Sequence, residues 1–93
     1  MIRLNVFFAL PDQKKRAELI AAATELVEKS RGDKGVVAYD FFASQTVEAN
    51  FMICETWIDR ESLDAHGKTE HFVRLAGKIE ELCGALKLEE FLF

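Results

Sequence analysis

Residues 55–72 of the chain, ETWIDRESLDAHGKTEHF, contain the features that decide its fold. The segment holds the only Trp and both His of the sequence. Asp59 predicts the start of a short helix that ends near His66, and Thr69 predicts the start of a second helix. Because histidine titrates near physiological pH, His66 and His71 beside a large aromatic side chain could form a proton-transfer site; the alternative is that both are ordinary helix residues.

Outside this segment, alternating apolar residues predict strands, and apolar residues three or four positions apart predict helices. The predicted strands are Ile2–Ala9, Val36–Ala43, Phe51–Ile58 and Leu86–Phe93, and the two long helices are predicted to end near Ser30 and Leu82. The order β-α-β-β-α-β is that of the ferredoxin-like α+β fold, with a four-stranded antiparallel sheet and helices on one face. Residues 1–93 are therefore expected to form a single domain.

The aromatic content predicts an association between copies. The chain has 93 residues, of which 49% are hydrophobic and eight are Phe. Helices on one side of a sheet leave its other face uncovered, and one small copy has nothing left to cover it. Two copies packed sheet against sheet would form a homodimer with a shared barrel or sandwich, which encloses a residual cavity unless long side chains fill it.

Charge and composition exclude several classes of protein. The net charge of −4 argues against a nucleic-acid partner, which requires clustered Lys and Arg. No apolar run reaches the length of a membrane span and no signal peptide is evident, so we expect no membrane association and a cytoplasmic location. Cys54 and Cys83 lack metal-ligand spacing, and the chain has no Gly-rich phosphate-binding loop. We therefore expect no metal and no cofactor.

With this order of elements, the run from Trp57 through His66 and Thr69 to His71 and Phe72 resembles the antibiotic-biosynthesis monooxygenase family. The spacing is similar to W-x(8)-H-x(2)-T-x-H-F/M, and the resemblance covers essentially the whole chain. It implies a dimeric α/β barrel. Within the family, the chain resembles the quinol monooxygenases and, almost equally, the isomerases of phosphorylated autoinducer-2, which share the His-x-x-Thr-x-His run.

The haem-degrading members of the same family are a poorer match. They use an Asn on the first strand, and Asn5 fits that position. However, His66 occupies the position of their catalytic Trp, and Ala76 occupies the position of their haem-ligating His. The resemblance therefore does not imply haem binding.

The resemblance to quinol monooxygenases implies oxidation of a quinol or polyphenol-like aromatic substrate by O2 without a cofactor. Such chemistry needs a base, an apolar cavity and donors for the developing charge. At the first turn of its helix, His71 is expected to be neutral and to take the proton, while His66 at a helix end is expected to be protonated more readily. Asn5 would orient a substrate oxygen, unless it is a solvent-facing strand residue.

Four aromatic residues are candidates for substrate binding. Trp57 is either a cavity wall or a core anchor, and Tyr39 offers a phenolic donor from a strand. Phe7 and Phe72 are further candidate walls. Two other functions stay open at this point: an isomerase of a small phosphorylated sugar-like signal, which would need basic residues in its cavity, and a non-catalytic dimeric module that binds small molecules.

Overall fold

The computed structural model describes residues 1–93 as an antiparallel sheet with its α-helices packed on one face. The strands are β1 (Ile2–Ala9), β2 (Val36–Ala43), β3 (Asn50–Trp57) and β4 (Lys87–Leu92), and the helices are α1 (Arg16–Ser30), α2 (Arg60–His66) and α3 (Glu70–Cys83). A 3₁₀ turn at Gln13–Lys15 precedes α1. The strands lie in the order β2-β3-β1-β4. The predicted α+β, ferredoxin-like arrangement is confirmed, and α2 is the short helix expected after β3.

Side-chain caps explain where two of these helical segments begin. A carboxylate oxygen of Asp59 accepts a hydrogen bond from the backbone N–H of Ser62 at 2.8 Å, at the start of α2. Thr69 Oγ1 accepts from the backbone N–H of Phe72 at 3.2 Å, at the start of α3. Each cap satisfies a backbone donor that the first helical turn leaves without a partner. The two caps also fix the position of the turn between α2 and α3.

The face of the sheet that contacts the helices carries one of the two alternating sets of side chains from each strand. On β1, β2 and β3 these side chains are buried: Ile2, Val6, Phe8, Tyr39, Phe51, Ile53, Glu55 and Trp57. They pack against buried residues of the two long helices, among them Leu19, Leu26, Leu75 and Ile79. All of these residues except Tyr39, Glu55 and Trp57 are purely apolar, so the polar atoms of this layer are concentrated at one end of the core.

The opposite face of the sheet is open and aromatic. Phe7 on β1, Phe42 on β2 and Phe91 on β4 are 36%, 48% and 50% exposed, respectively. Their strands are joined through β3, which pairs with β1 and β2, and through β1, which pairs with β4. We refer to this surface as the outer face. No helix in the structure combines the length and the apolar character needed to cross a membrane.

We expect the outer faces of two copies to pack together in solution. Phe42→Glu would place a carboxylate inside that contact, where burial of an unpaired charge is costly. Wild type should therefore scatter light as a dimer at micromolar concentration, and the variant should scatter as a monomer. The matched control is Ile20→Glu, which adds the same charge at a side chain that is 38% exposed on α1, in the helix layer. A monomeric wild type would contradict the expectation.

Candidate active site

The turn between α2 and α3 brings the two histidines together. His66 is the last residue of α2, and His71 is the second residue of α3. The Thr69 hydroxyl donates to the backbone carbonyl of His66 at 2.7 Å, in addition to capping α3. The centroids of the two imidazole rings are 6.0 Å apart. The sequence placed these histidines on neighbouring helix ends, and the cap explains why the ends stay close.

A third residue, Asp33, joins the two imidazoles. Its Oδ2 lies 2.7 Å from Nδ1 of His66 and 2.9 Å from Nε2 of His71. A carboxylate can only accept, so each of these ring nitrogens carries a proton and donates to the same oxygen. In His66 this leaves Nε2 as the nitrogen without a proton, which can accept one, when the ring is neutral. Asp33 is not among the residues predicted from the sequence, because no motif or periodicity distinguishes it from other acidic turn residues.

The loop that carries Asp33 is held against α2 by a close backbone approach. Gly35 has a φ of 82°, and a Cβ atom built there would lie 2.0 Å from the Ser62 hydroxyl oxygen. Only glycine combines this left-handed conformation with so short an approach. The carbonyl of Gly35 also accepts from the backbone N–H of Ile58 at 2.9 Å, just after β3. These contacts fix the loop beside the helix that ends at His66.

Burial controls the protonation of His66. Its side chain is almost completely buried, and loss of solvation lowers the pKa of its imidazole. The hydrogen bond and charge of Asp33 oppose this effect, and the nearby His71 adds to it. The direction is opposite to the one expected from the position of His66 at a helix end, because burial is the largest influence on this pKa. His66 is thus biased toward the neutral imidazole, the form that can accept a proton.

Three aromatic side chains surround His66. Its ring centroid lies 4.6 Å from Trp57, 4.9 Å from Phe72 and 5.4 Å from Tyr39. The Tyr39 hydroxyl is 3.4 Å from Nε2 of His66, and burial is the main cause that raises the pKa of this phenol. The structure therefore brings together five of the residues proposed from sequence: His66, His71, Trp57, Tyr39 and Phe72.

Glu55 completes the polar cluster in the core. Its Oε1 accepts a hydrogen bond from the indole Nε1–H of Trp57 at 2.9 Å, and the residue is only 3% exposed. Burial raises the pKa of its carboxyl group, while the Trp57 and Tyr39 side chains act in the opposite direction. Tyr39 and Glu55 are paired directly across β2 and β3.

A cavity of about 640 Å³ lies beside this cluster, bounded by β1, β3, α2, α3 and the segment that leads into β4. Its volume falls within the roughly 300–1,000 Å³ that is typical of small-molecule sites. Its apolar wall includes Leu4, Val6, Leu63, Phe72, Ala76 and Leu86. The polar residues on its wall include His66, Glu55 and Glu80, and no Lys or Arg lines it.

The structure separates some of the predicted site residues from this cavity. Asn5 and Phe7 lie on the outer face, where the Asn5 amide donates to Glu89 at 3.4 Å. Trp57 and Tyr39 contact His66 but do not line the large cavity, and neither does His71. Ala76 is buried on the cavity wall and offers no ligand atom to a haem iron. Of the predicted residues, His66 and Phe72 are the two with direct access to a ligand in this cavity.

The same histidine cluster is the place where a metal could bind. The candidate ligand atoms of Asp33, His66 and His71 all lie within 4.8 Å of one another. Two imidazoles and a carboxylate suit zinc or iron(II). However, the short contacts are between imidazole nitrogens and one carboxylate oxygen, at the lengths of ordinary charge-assisted hydrogen bonds. Hydrogen bonding alone accounts for this geometry.

Comparison with known proteins identifies relatives of this chain. The family model described as antibiotic biosynthesis monooxygenase matches residues 1–78. YcnE of Bacillus subtilis, provisionally named a monooxygenase, is 33% identical over 85 residues, which cover 91% of this chain and 88% of YcnE.

Two solved structures show the same fold. A Bacteroides thetaiotaomicron protein of unknown function, described as a possible oxidoreductase, has a TM-score of 0.93 and 48% identity, covering 99% of this chain and 96% of its own. A structure described as an antibiotic biosynthesis monooxygenase has a TM-score of 0.91 and 29% identity, covering 100% of this chain and 98% of its own. Because both alignments cover nearly the full length of this chain, the likeness includes all four strands and the three α-helices.

We predict that Asp33→Asn lowers the pKa of the His66 imidazole further. The Asp33 carboxylate is the group that raises this pKa against the effect of burial, and asparagine keeps the shape without the charge. Nuclear magnetic resonance titration of the two imidazole rings would measure the change. Asp64→Asn, at an exposed position on α2, removes the same charge and should leave the titration unchanged. An unchanged or higher His66 pKa in Asp33→Asn would show that the carboxylate does not control this ring.

Proposed function

The chain belongs to the antibiotic biosynthesis monooxygenase family, and on that premise we propose that it oxidises a small phenolic or quinol-type substrate with O2 and no cofactor. The observation that carries the proposal is a buried imidazole, His66, on the wall of an otherwise largely apolar cavity. Asp33 binds Nδ1 of that imidazole, and Nε2, which lies 3.4 Å from the Tyr39 hydroxyl, is the nitrogen that can accept a proton. The arrangement supplies a base at a place from which water can be displaced.

The first step is removal of a substrate hydroxyl proton by His66 Nε2. Burial favours the neutral ring beforehand, and Asp33 stabilises the imidazolium that forms. A carboxylate behind a catalytic imidazole fixes its tautomer and orientation in the same way in other enzymes. The resulting electron-rich anion can reduce O2 directly, so the protein need only exclude water and stabilise the developing charge.

His71 is better suited to positioning than to proton transfer from the substrate. Its Nε2 is held by Asp33, and its side chain is not part of the cavity wall. By donating to the same oxygen as His66, it holds the carboxylate in place. We therefore assign the role of base to His66. The sequence had favoured His71 for this role, because His71 lies in the first turn of α3.

The lining of the cavity favours a neutral aromatic substrate over a phosphorylated sugar. A phosphate group would meet the carboxyl groups of Glu55 and Glu80 without any lysine or arginine to bind it. Arg3 binds Thr56, its partner across β1 and β3, and Arg74 pairs with Glu25 and Glu70 on the helix surface. Phe72 and the aliphatic wall instead suit a flat apolar ring.

A screen for O2 consumption against hydroquinones and polyphenols tests this function. We expect His66→Ala to lower turnover by roughly 10²–10⁴-fold, the usual effect of removing a general base, and His71→Ala to lower it less. Lys68→Ala is a control in the same turn, at an exposed position. Wild-type turnover in His66→Ala would remove the base from the mechanism. Binding of phenols without O2 consumption would indicate a small-molecule binding module instead.

We also predict that activity needs no haem, flavin or metal. The absorbance spectrum of the active protein should contain neither a Soret band nor flavin peaks, and dialysis against a chelator should leave O2 consumption unchanged. Metal analysis before and after dialysis provides the control, because the Asp33, His66 and His71 cluster could retain a transition metal. Loss of activity on chelation, restored by one metal ion, would contradict a cofactor-independent mechanism.

A further inference from the structure

Glu55 occupies a position that packing alone does not explain. It lies on the helix-facing side of β3, where Phe51, Ile53 and Trp57 are its buried neighbours on the same strand. A carboxyl group in an apolar layer costs free energy unless its environment compensates. Here the compensation includes the indole N–H of Trp57, which donates at 2.9 Å.

Glu55 also borders the space where a ligand could bind. Glu55 lines the 640 Å³ cavity together with His66, and it also lines a smaller void of about 30 Å³. It is therefore both almost inaccessible to bulk solvent and adjacent to the place where a substrate would bind. Glu80 also lines the large cavity, but its side chain is exposed, so it lacks this combination.

Tyr39 connects Glu55 to the proposed base. Its hydroxyl lies 3.4 Å from Nε2 of His66, and its side chain is close enough to the Glu55 carboxyl group to oppose the rise in the pKa of that group. The phenol can accept a proton from the imidazolium while it donates its own proton to the carboxylate. Burial raises the pKa of Tyr39, which keeps the hydroxyl in the protonated form that such a transfer requires.

We propose that Glu55 contacts the substrate and supplies the proton that the added oxygen takes up. The inference rests on the proposed oxygenation. His66 removes the hydroxyl proton of the substrate, and the resulting anion gives two electrons to O2 as a carbon–oxygen bond forms. The peroxide anion then takes a proton from the Glu55 carboxyl group, which gives a substrate hydroperoxide and a carboxylate. The proton held by His66 returns to Glu55 through Tyr39, so protons and electrons balance.

The raised pKa of Glu55 agrees with this role, because burial favours its neutral, proton-carrying form. Glu55→Gln is a close test of the role. Glutamine keeps the size of the side chain and an oxygen that can accept from Trp57, but it has no proton to give. Glu81→Gln is the matched control, since it makes the same exchange at an exposed position on α3. Circular dichroism and urea unfolding would confirm that both variants fold.

The first measurement does not require turnover. Infrared difference spectra with phenol as the ligand should show a protonated carboxyl band that shifts on binding, is absent in Glu55→Gln and persists in Glu81→Gln. The second measurement is O2 consumption with the substrate found by the screen. There, Glu55→Gln should lower kcat by about 10²-fold or more with a smaller change in KM, as expected on loss of a positioned acid, while Glu81→Gln should match wild type.

The outcomes separate the two proposals. A wild-type protein that consumes no O2 with any phenol overturns the proposed function and, with it, proton delivery to oxygen. If wild type consumes O2 and Glu55→Gln consumes it equally fast, only the role of Glu55 is overturned. The absence of a ligand-sensitive carboxyl band likewise overturns the proposed contact with the substrate.

Discussion

The candidate site depends on one carboxylate oxygen that accepts two hydrogen bonds. Asp33 Oδ2 binds His66 and His71 at once, and it thereby connects the loop before β2 to the ends of α2 and α3. Hydrogen bonds to a charged group are stronger than neutral ones, so this junction fixes the ring tautomers as well as the ring positions. Gly35 allows the loop that carries Asp33 to lie against α2, since any larger residue there would push the loop away from this helix.

Burial then gives these polar groups their chemistry. It lowers the pKa of His66 and raises the pKa of Glu55, so that the imidazole tends to lack the proton that the carboxyl group tends to hold. Pairs of groups whose environments move their pKa values apart are typical of acid–base sites. Tyr39 lies between the two, and Trp57 contacts both. Burial in the apolar core therefore favours a base at His66 and an acid at Glu55, in addition to stabilising the fold.

The two faces of the sheet have different uses because side chains alternate along a strand. One face supplies Glu55 and Tyr39 to the site, while the other carries Phe7, Phe42 and Asn5 away from it. Two consecutive residues of one strand thus point to opposite faces of the sheet. The aromatic outer face remains the basis for the proposed homodimer, and the cavity beside His66 does not depend on it.

The sequence by itself determined the order of elements, because strand alternation, helix spacing and the caps at Asp59 and Thr69 are local properties of the chain. It also identified the His66 and His71 pair, since their spacing across one turn restricts where they can point. Only the tertiary structure decided the rest. The contact with Asp33 spans more than 30 residues of chain, and the inward face of each strand depends on packing rather than on pattern. Burial, which sets the protonation of His66, exists only once the core has formed.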